Sequence, residues 1–273
     1  MNNSSLPVLI SYAYEKCFDW DKIRAIASEI DLLIDCGAFT VHKKGKVIQL
    51  EEYYDFLYKI DFPIVDYFAL DSIGDPVKTF SNFMQMMEDG FTPLPIFTRG
   101  DSLEQLEEYY KYSDYVALGG LWAGGENDPG YVKYIMEEGF KGRKTHWLGF
   151  AVHDLMLHYK PYSVDATNWK RALLYGELVI YTKQGFKRAR RTEFKKSKIP
   201  PHAADITRMG FDPYKLKDEQ SWRGVHTYAH EISTVSYLNY IKDLRAKVGT
   251  RFYFVCNAQH ELDFLIDLKR RGF

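Results

Sequence analysis

Leu32-Leu33-Ile34-Asp35-Cys36-Gly37-Ala38-Phe39 carries an apolar run straight into a small polar tip, and three further stretches repeat the pattern. They are Tyr67-Phe68-Ala69-Leu70-Asp71-Ser72, Tyr115-Val116-Ala117-Leu118-Gly119-Gly120-Leu121 and Tyr162-Ser163-Val164-Asp165-Ala166-Thr167. An apolar run of about four to six residues bounded by Gly, Asp or Ser reads as a strand buried on both faces, as in a parallel sheet. Three of the four deliver an aspartate at the exit and the fourth a glycine pair. Carboxylates at the exits of several parallel strands are the usual way an α/β barrel builds an active site.

The same alternation continues on either side of these stretches. Strands are expected over residues 6–12, 94–97, 146–151 and 251–255. Ile23, Ile26, Ala27 and Ile30 at helical spacing predict a helix from Trp20-Asp21. Asp75-Pro76 and Asp128-Pro129 read as helix caps with Pro at the first helical position, and Asp101-Ser102 as a cap for a helix through Tyr110. No helix is evident directly after Asp35. Eight β/α units in a row predict a (β/α)8 TIM barrel, with an open doubly wound sheet as the alternative. The whole chain, 1–273, reads as one such domain, with residues 176–228 as a long basic insertion between strands seven and eight. Within it, Leu178 to Phe186 predicts a hairpin arm turning at Gln184-Gly185, and a helix is expected from about Ala229 to Lys247.

Composition sets the outer limits. With 273 residues, 46% of them hydrophobic, the chain can bury a full core. The formal charge of −1 excludes a polycation, so a nucleic-acid partner must be met by a local patch. One exists. Lys183, Lys187, Arg188, Arg190, Arg191, Lys195, Lys196 and Lys198 place eight of the 36 basic residues between positions 183 and 198. Such a run either contacts phosphates or is a solvated loop. Cys17, Cys36 and Cys256 form no C-x-x-C pair, which fits a reducing compartment. Neither a leader peptide nor a membrane span is evident, so a soluble, cytoplasmic protein is expected.

Several residues are ambiguous on sequence alone. His226 and His230, four apart, would share one face of a helix as a metal pair requires, but no third ligand completes a pattern. Cys36 beside an apolar run reads as a small buried residue. Asp71 and Asp165 could each cap a following helix. Tyr14, Phe39 and Trp122 are candidates for stacking on a planar ligand, and Trp169 for that or for packing.

The strand-end motifs, in their order, resemble the tRNA-guanine transglycosylase superfamily. Asp35-Cys36-Gly37-Ala38-Phe39-Thr40 is similar to the family's D-S-G-G-F-Q element, and Leu70-Asp71-Ser72 to its second aspartate motif. Leu118-Gly119-Gly120-Leu121 matches L-G-G-L, and His146-Trp147-Leu148-Gly149 resembles the H-L-M-G strand. Val164-Asp165 lies where the nucleophilic aspartate falls, and the resemblance runs from about residue 8 to 191. The chain departs from the tRNA enzymes in three respects. It lacks the C-x-C-x-x-C plus His zinc motif, so no metal is expected. Phe97-Thr98-Arg99-Gly100 stands where the family has a Gln, and no additional C-terminal RNA-binding domain is expected. These departures make the chain most similar to the phage-type DNA 7-deazaguanine transglycosylases (DpdA-like).

The resemblance implies a cofactor-free exchange of guanine in DNA for a 7-deazaguanine base such as 7-cyano-7-deazaguanine. The setting would be the host cytoplasm if the chain is phage-encoded. Asp165 is then the nucleophile and Asp35 the general acid/base, or the group that orients it. Asp71 accepts from the guanine N1–H and exocyclic amine. Gly119 and Gly120 allow close backbone approach to the base, and Leu121, Phe39, Thr98, Leu148 and Gly149 complete its pocket. Lys183, Lys187, Arg188, Arg190, Arg191, Lys195 and Lys196 contact phosphates. The alternatives are exchange in tRNA, hydrolysis of a nucleoside or other N-glycoside by the same carboxylates, and a non-catalytic nucleic-acid-binding barrel.

Overall fold

β1 (Leu6–Ser11) is buried along its whole length, as a strand covered on both faces must be. It pairs in parallel with β2 (Ile30–Asp35), which sets Ser11 opposite Asp35. The computed structural model describes residues 5–123 and 126–273. In it the sheet continues through β3 (Asp66–Tyr67), β4 (Ile96–Phe97), β5 (Val116–Leu118), β6 (Thr145–Trp147), β7 (Ser163–Ala166) and β8 (Arg251–Cys256). Their order is β3-β2-β1-β8-β7-β6-β5-β4 and every pairing is parallel. The two ends of that order meet at one bridge. The Ala69 N–H donates to Leu94 O and the Leu94 N–H to Tyr67 O, both at 2.8 Å. The result is an all-parallel, curled, eight-stranded sheet with helices in its connections, consistent with a (β/α)8 barrel.

The helices form where the sequence caps them. Asp75 accepts the Lys78 N–H (2.9 Å) ahead of Pro76–Glu88, Ser102 the Gln105 N–H (3.2 Å) ahead of Leu103–Tyr112, and Asp128 the Tyr131 N–H (3.0 Å) ahead of Pro129–Ile135. Gln49 and Glu52 form a capping box on Leu50–Lys59, whose Tyr53, Phe56 and Leu57 are buried at i, i+3, i+4 spacing. Three expectations need correction. A short helix, Ala38–His42, does follow Asp35, entered through Gly37 at φ +80° rather than through a side-chain cap. The strand at His146 ends at Trp147, because the chain turns at Gly149 (φ +63°). The helix at Trp20 stops at Ala25, with only a 3-10 turn, Ala27–Glu29, beyond.

Contacts group the chain into two compact units, Met1–Ala166 with Thr250–Leu262 and Thr167–Gly249 with Asp263–Phe273. The sheet lies in the first. The second is organised on the helix Tyr228–Val248, capped by the Thr227 hydroxyl. Beside this helix is an antiparallel hairpin, Glu177–Thr182 with Gly185–Arg190, whose turn is Lys183-Gln184, one residue earlier than the sequence suggests. The Val179 and Tyr181 N–H groups donate to the Ser233 and Ser236 hydroxyls of the helix, at 3.1 and 2.5 Å. Phe186 stacks on Tyr237 and meets Tyr240 edge-on. No helix among the described residues is long and apolar enough to cross a membrane.

Gly37 shows how tightly the first unit is built around its motif. A Cβ there would stand 2.6 Å from Ala13 N and 2.8 Å from Ala13 Cβ. Gly45, at φ +67°, has open space around the same position. Gly45→Ala is expected to cost roughly 1–2 kcal/mol of left-handed strain, and Gly37→Ala about 3 kcal/mol or more because collision adds to strain. Denaturant midpoints of the two variants rank them, and equal midpoints would contradict the close approach.

Candidate active site

Asp165 is the third residue of β7, on the same side of that strand as Ser163, two positions earlier. It is 6% exposed and caps no helix. Its Oδ1 accepts the Gly149 backbone N–H at 2.9 Å and lies 3.0 Å from His146 Nε2 on the adjacent β6, within hydrogen-bond distance. The bend at Gly149 that ends β6 aims this N–H at the carboxylate. His146 is fully buried, with its ring between Phe68 (centroids 5.0 Å) and Tyr253 (6.1 Å).

Asp35 closes β2. Its Oδ2 accepts the Gly37 N–H at 3.1 Å, a bond that the left-handed Gly37 makes possible. Burial pushes its carboxyl up to about 6; the Gly37 N–H bond and the nearby Ser11 hydroxyl work against that rise, and the charges of Asp165 and Asp71 work with it.

Asp71 follows the two-residue β3, and side chains from the flanking helices hold that short segment in place. The Tyr53 hydroxyl donates to Phe68 O (2.9 Å) and the Asn82 amide to Leu70 O (3.0 Å). Thr79 reaches back from its helix, donating to Asp71 Oδ1 (2.8 Å) and accepting the Ser72 N–H (2.9 Å). Asp71 is therefore bound by a side chain of the next helix without capping its N-terminus. Burial raises its carboxyl, and the Thr79 and Ser72 bonds oppose the rise.

A fourth carboxyl joins this group. Asp101, expected to help cap the following helix, instead turns back to accept the Thr98 N–H at 2.7 Å. Its Oδ1 is buried with no hydrogen-bond partner among the described residues. Burial raises the Asp101 carboxyl to about 6, the Thr98 bond opposes this, and the Asp71 charge adds to it. Asp35, Asp71, Asp101 and Asp165 thus come together at the exits of β2, β3, β4 and β7. The sequence signal for Asp101 was its place directly after Thr98-Arg99-Gly100, where a turn could fold it back toward the strand.

The remaining expected residues fall at varied places. Gly120, at φ +67°, would press a Cβ to 2.7 Å from Arg99 Cβ and 2.8 Å from Arg99 N, so the neighbouring loop is sufficient reason for glycine. The Arg99 guanidinium bonds Gly120 O and Asp128 and lies over the Tyr131 ring. At Gly119 a Cβ would make only ordinary contacts of 3.5–3.6 Å with Thr98, Ile96 and Leu148. Leu121 is buried, Thr98 and Leu148 are part-buried, and Phe39 is 56% exposed with the Lys43 ammonium over its ring. The Trp122 side chain lies outside the described residues. A cavity of about 400 Å3 opens beside Asp71, lined among others by Ala38, Gln49, Leu70, Asn82 and Gln85. Of the expected site residues only Asp71 lines it, and its amides were not singled out in the sequence.

In the second unit the basic run is partly neutralised. Lys187 pairs with Asp205 (3.1 Å), and Arg191 and Lys195 both pair with Glu219. Lys183, Arg188, Arg190, Lys196 and Lys198 have no ion pair among the described residues. His226 precedes the cap at Thr227 and so lies outside the helix, yet its ring stacks on that of His230 (centroids 6.2 Å); both stack on Phe264, and His230 also on Trp169. Among the described residues no three His, Cys, Asp or Glu side chains are grouped to hold a metal ion. No family model, curated protein or solved structure matches the chain.

Chemically, a carboxyl hydrogen-bonded on one oxygen by a histidine ring and a backbone N–H, with a second carboxyl raised by burial to about 6 at another exit of the sheet, is suited to nucleophilic attack assisted by proton transfer. The folded chain holds the Asp35 proton above the 3.8 of an ordinary aspartate, so this group makes stability fall as pH rises from 3.8 to about 6, with no slope outside that window. Asp35→Asn is expected to remove that slope and to stabilise the protein at neutral pH by about 2 kcal/mol. Denaturation of both proteins at pH 4 and pH 7 checks this, and an unchanged difference between the two pH values would refute it.

Proposed function

We propose that the chain is a DNA-guanine transglycosylase, and that its curled sheet is a closed (β/α)8 barrel carrying residues 176–228 as an insertion. The observation that carries the reading is that Asp165, bonded among the described residues through Oδ1 alone, and Asp35, whose carboxyl burial raises to about 6, stand at strand exits of one sheet, near enough for their charges to interact. Asp165 Oδ2 attacks C1′ of the target nucleotide. The bond from C1′ to guanine N9 breaks, its electron pair leaves with the base, and Asp35 supplies the proton that makes free guanine. A 7-deazaguanine then gives its N9 proton to Asp35, and N9 attacks C1′ and displaces Asp165. Acid and base are restored and no cofactor is consumed.

Asp71, fixed by Thr79, accepts from the N1–H and exocyclic amine that guanine and 7-deazaguanine share. One pocket therefore serves the outgoing and incoming bases. Duplex DNA hides C1′, so the nucleotide must be flipped or single-stranded. Of the basic residues without ion pairs among the described residues, Lys183, Arg188, Arg190 and Lys196 hold phosphates, which makes binding weaken steeply with salt. The cytoplasm supplies both substrates.

Incubation with guanine-containing DNA and labelled 7-cyano-7-deazaguanine is expected to give label in DNA, with at least about a 10³-fold loss in Asp165→Asn. Near-wild-type exchange by that variant overturns the nucleophile. Base loss without incorporation makes the protein a hydrolase, and label entering only tRNA changes the polymer. Binding of DNA by folded protein with neither reaction leaves a non-catalytic barrel.

A further inference from the structure

Behind Asp165 a chain of buried polar groups crosses three adjacent strands. Tyr115 directly precedes β5, His146 lies within β6, and Ser163 opens β7. The Tyr115 hydroxyl is 2.5 Å from Ser163 Oγ, Ser163 Oγ is 2.5 Å from His146 Nδ1, and His146 Nε2 is 3.0 Å from Asp165 Oδ1. Ser163 and His146 are wholly buried and Tyr115 nearly so. The tyrosine ring is fixed edge-on against Tyr162, with the Lys144 ammonium over both rings.

Counting protons orients this chain. Tyr115 and Ser163 have one hydroxyl proton each, and among the described residues neither has a hydrogen-bond partner outside the chain. If Tyr115 donates to Ser163 and Ser163 to Nδ1, both protons are used and Nε2–H is left to donate to Asp165. If Nδ1 carries a proton instead, it must donate to Ser163. The Ser163 proton then either goes to Tyr115, whose own proton is stranded, or is stranded itself. A buried hydroxyl without an acceptor is costly, and no such loss occurs in the first arrangement.

We propose that Ser163 and Tyr115 are positioning residues that fix His146 as its neutral Nε2–H tautomer. Asp165 Oδ1 then always faces an uncharged donor, and Oδ2 is the oxygen presented for reaction. A doubly protonated ring would set a full cation against the attacking carboxylate and weaken it as a nucleophile. During base exchange the Nε2–H stays on Oδ1 while Oδ2 is esterified, and it is in place when the carboxylate is regenerated. The role of Oδ2 rests on the proposed transglycosylase reading; the tautomer does not.

Imidazole ¹⁵N spectra of the full chain at neutral pH, without substrate, test the tautomer. The His146 signals are assigned by His146→Gln or, should that variant not fold, by contacts to the Phe68 and Tyr253 ring protons. The expected result is a protonated Nε2 and an unprotonated, hydrogen-bonded Nδ1. A proton on Nδ1, with or without one on Nε2, overturns the proposal. Ser163→Ala is expected to lose the Nδ1 hydrogen-bond signature and to lower kcat about tenfold at unchanged KM, with recovery in Ser163→Thr. Wild-type kcat in Ser163→Ala, or a loss confined to KM, overturns the positioning role. Absence of any base exchange by the wild type, with the Nε2–H spectrum intact, removes the transglycosylase reading alone.

Discussion

Because every strand of the sheet runs the same way, every strand exit lies at one end of it, and the rest of the site follows from that. Asp35, Asp71, Asp101 and Asp165 are far apart in the chain, yet parallel pairing leaves them no other end to occupy. Four carboxyls in one part-buried place repel one another and lose hydration. The fold relieves this by letting Asp35 and Asp101 keep their protons to about pH 6. Such a concentration of displaced titrations is common at reactive sites and unfavourable elsewhere.

Asp165 is treated differently from its neighbours. What sets it apart is its hydrogen bonding: a single oxygen, Oδ1, meets both the His146 ring and the Gly149 N–H. The arrangement also has a structural cost. Bulky aliphatic side chains usually fill the inside of a barrel-like sheet, but here Tyr115, Ser163 and His146 take that space. A buried polar group is tolerated when its bonds are complete, so the chain from Tyr115 to Asp165 has little freedom to rearrange.

The eight strands were legible because they are short apolar runs alternating with helical patterns, four of them closed by Gly, Asp or Ser, and the helices because Asp75-Pro76, Ser102 and Asp128-Pro129 mark their starts by local chemistry. What the sequence hid depends on contacts across strands. His146 was visible as part of a strand, but its bond to Asp165 needs the register of β6 on β7, and no local pattern encodes that. Asp101 read as a cap because Asp-Ser before an apolar period normally is one; only the fold of the loop after β4 shows Ser102 capping alone. Gly120 has an equally non-local reason, the Arg99 backbone on the neighbouring strand exit. The helix Ala38–His42 escaped notice because it is short and entered through a left-handed glycine rather than a polar cap.

The serines of the helix Tyr228–Val248 have an effect beyond holding the hairpin in place. A two-stranded ribbon normally offers outward-pointing amides on each free edge, and these recruit strands from other molecules. On Glu177–Thr182 the outward amides of Val179 and Tyr181 are already taken by Ser233 and Ser236. That edge cannot template a further strand without first breaking bonds to the helix. This edge of the hairpin is thereby protected against edge-to-edge aggregation by two hydroxyl groups, while the opposite strand carries Lys187, Arg188 and Arg190.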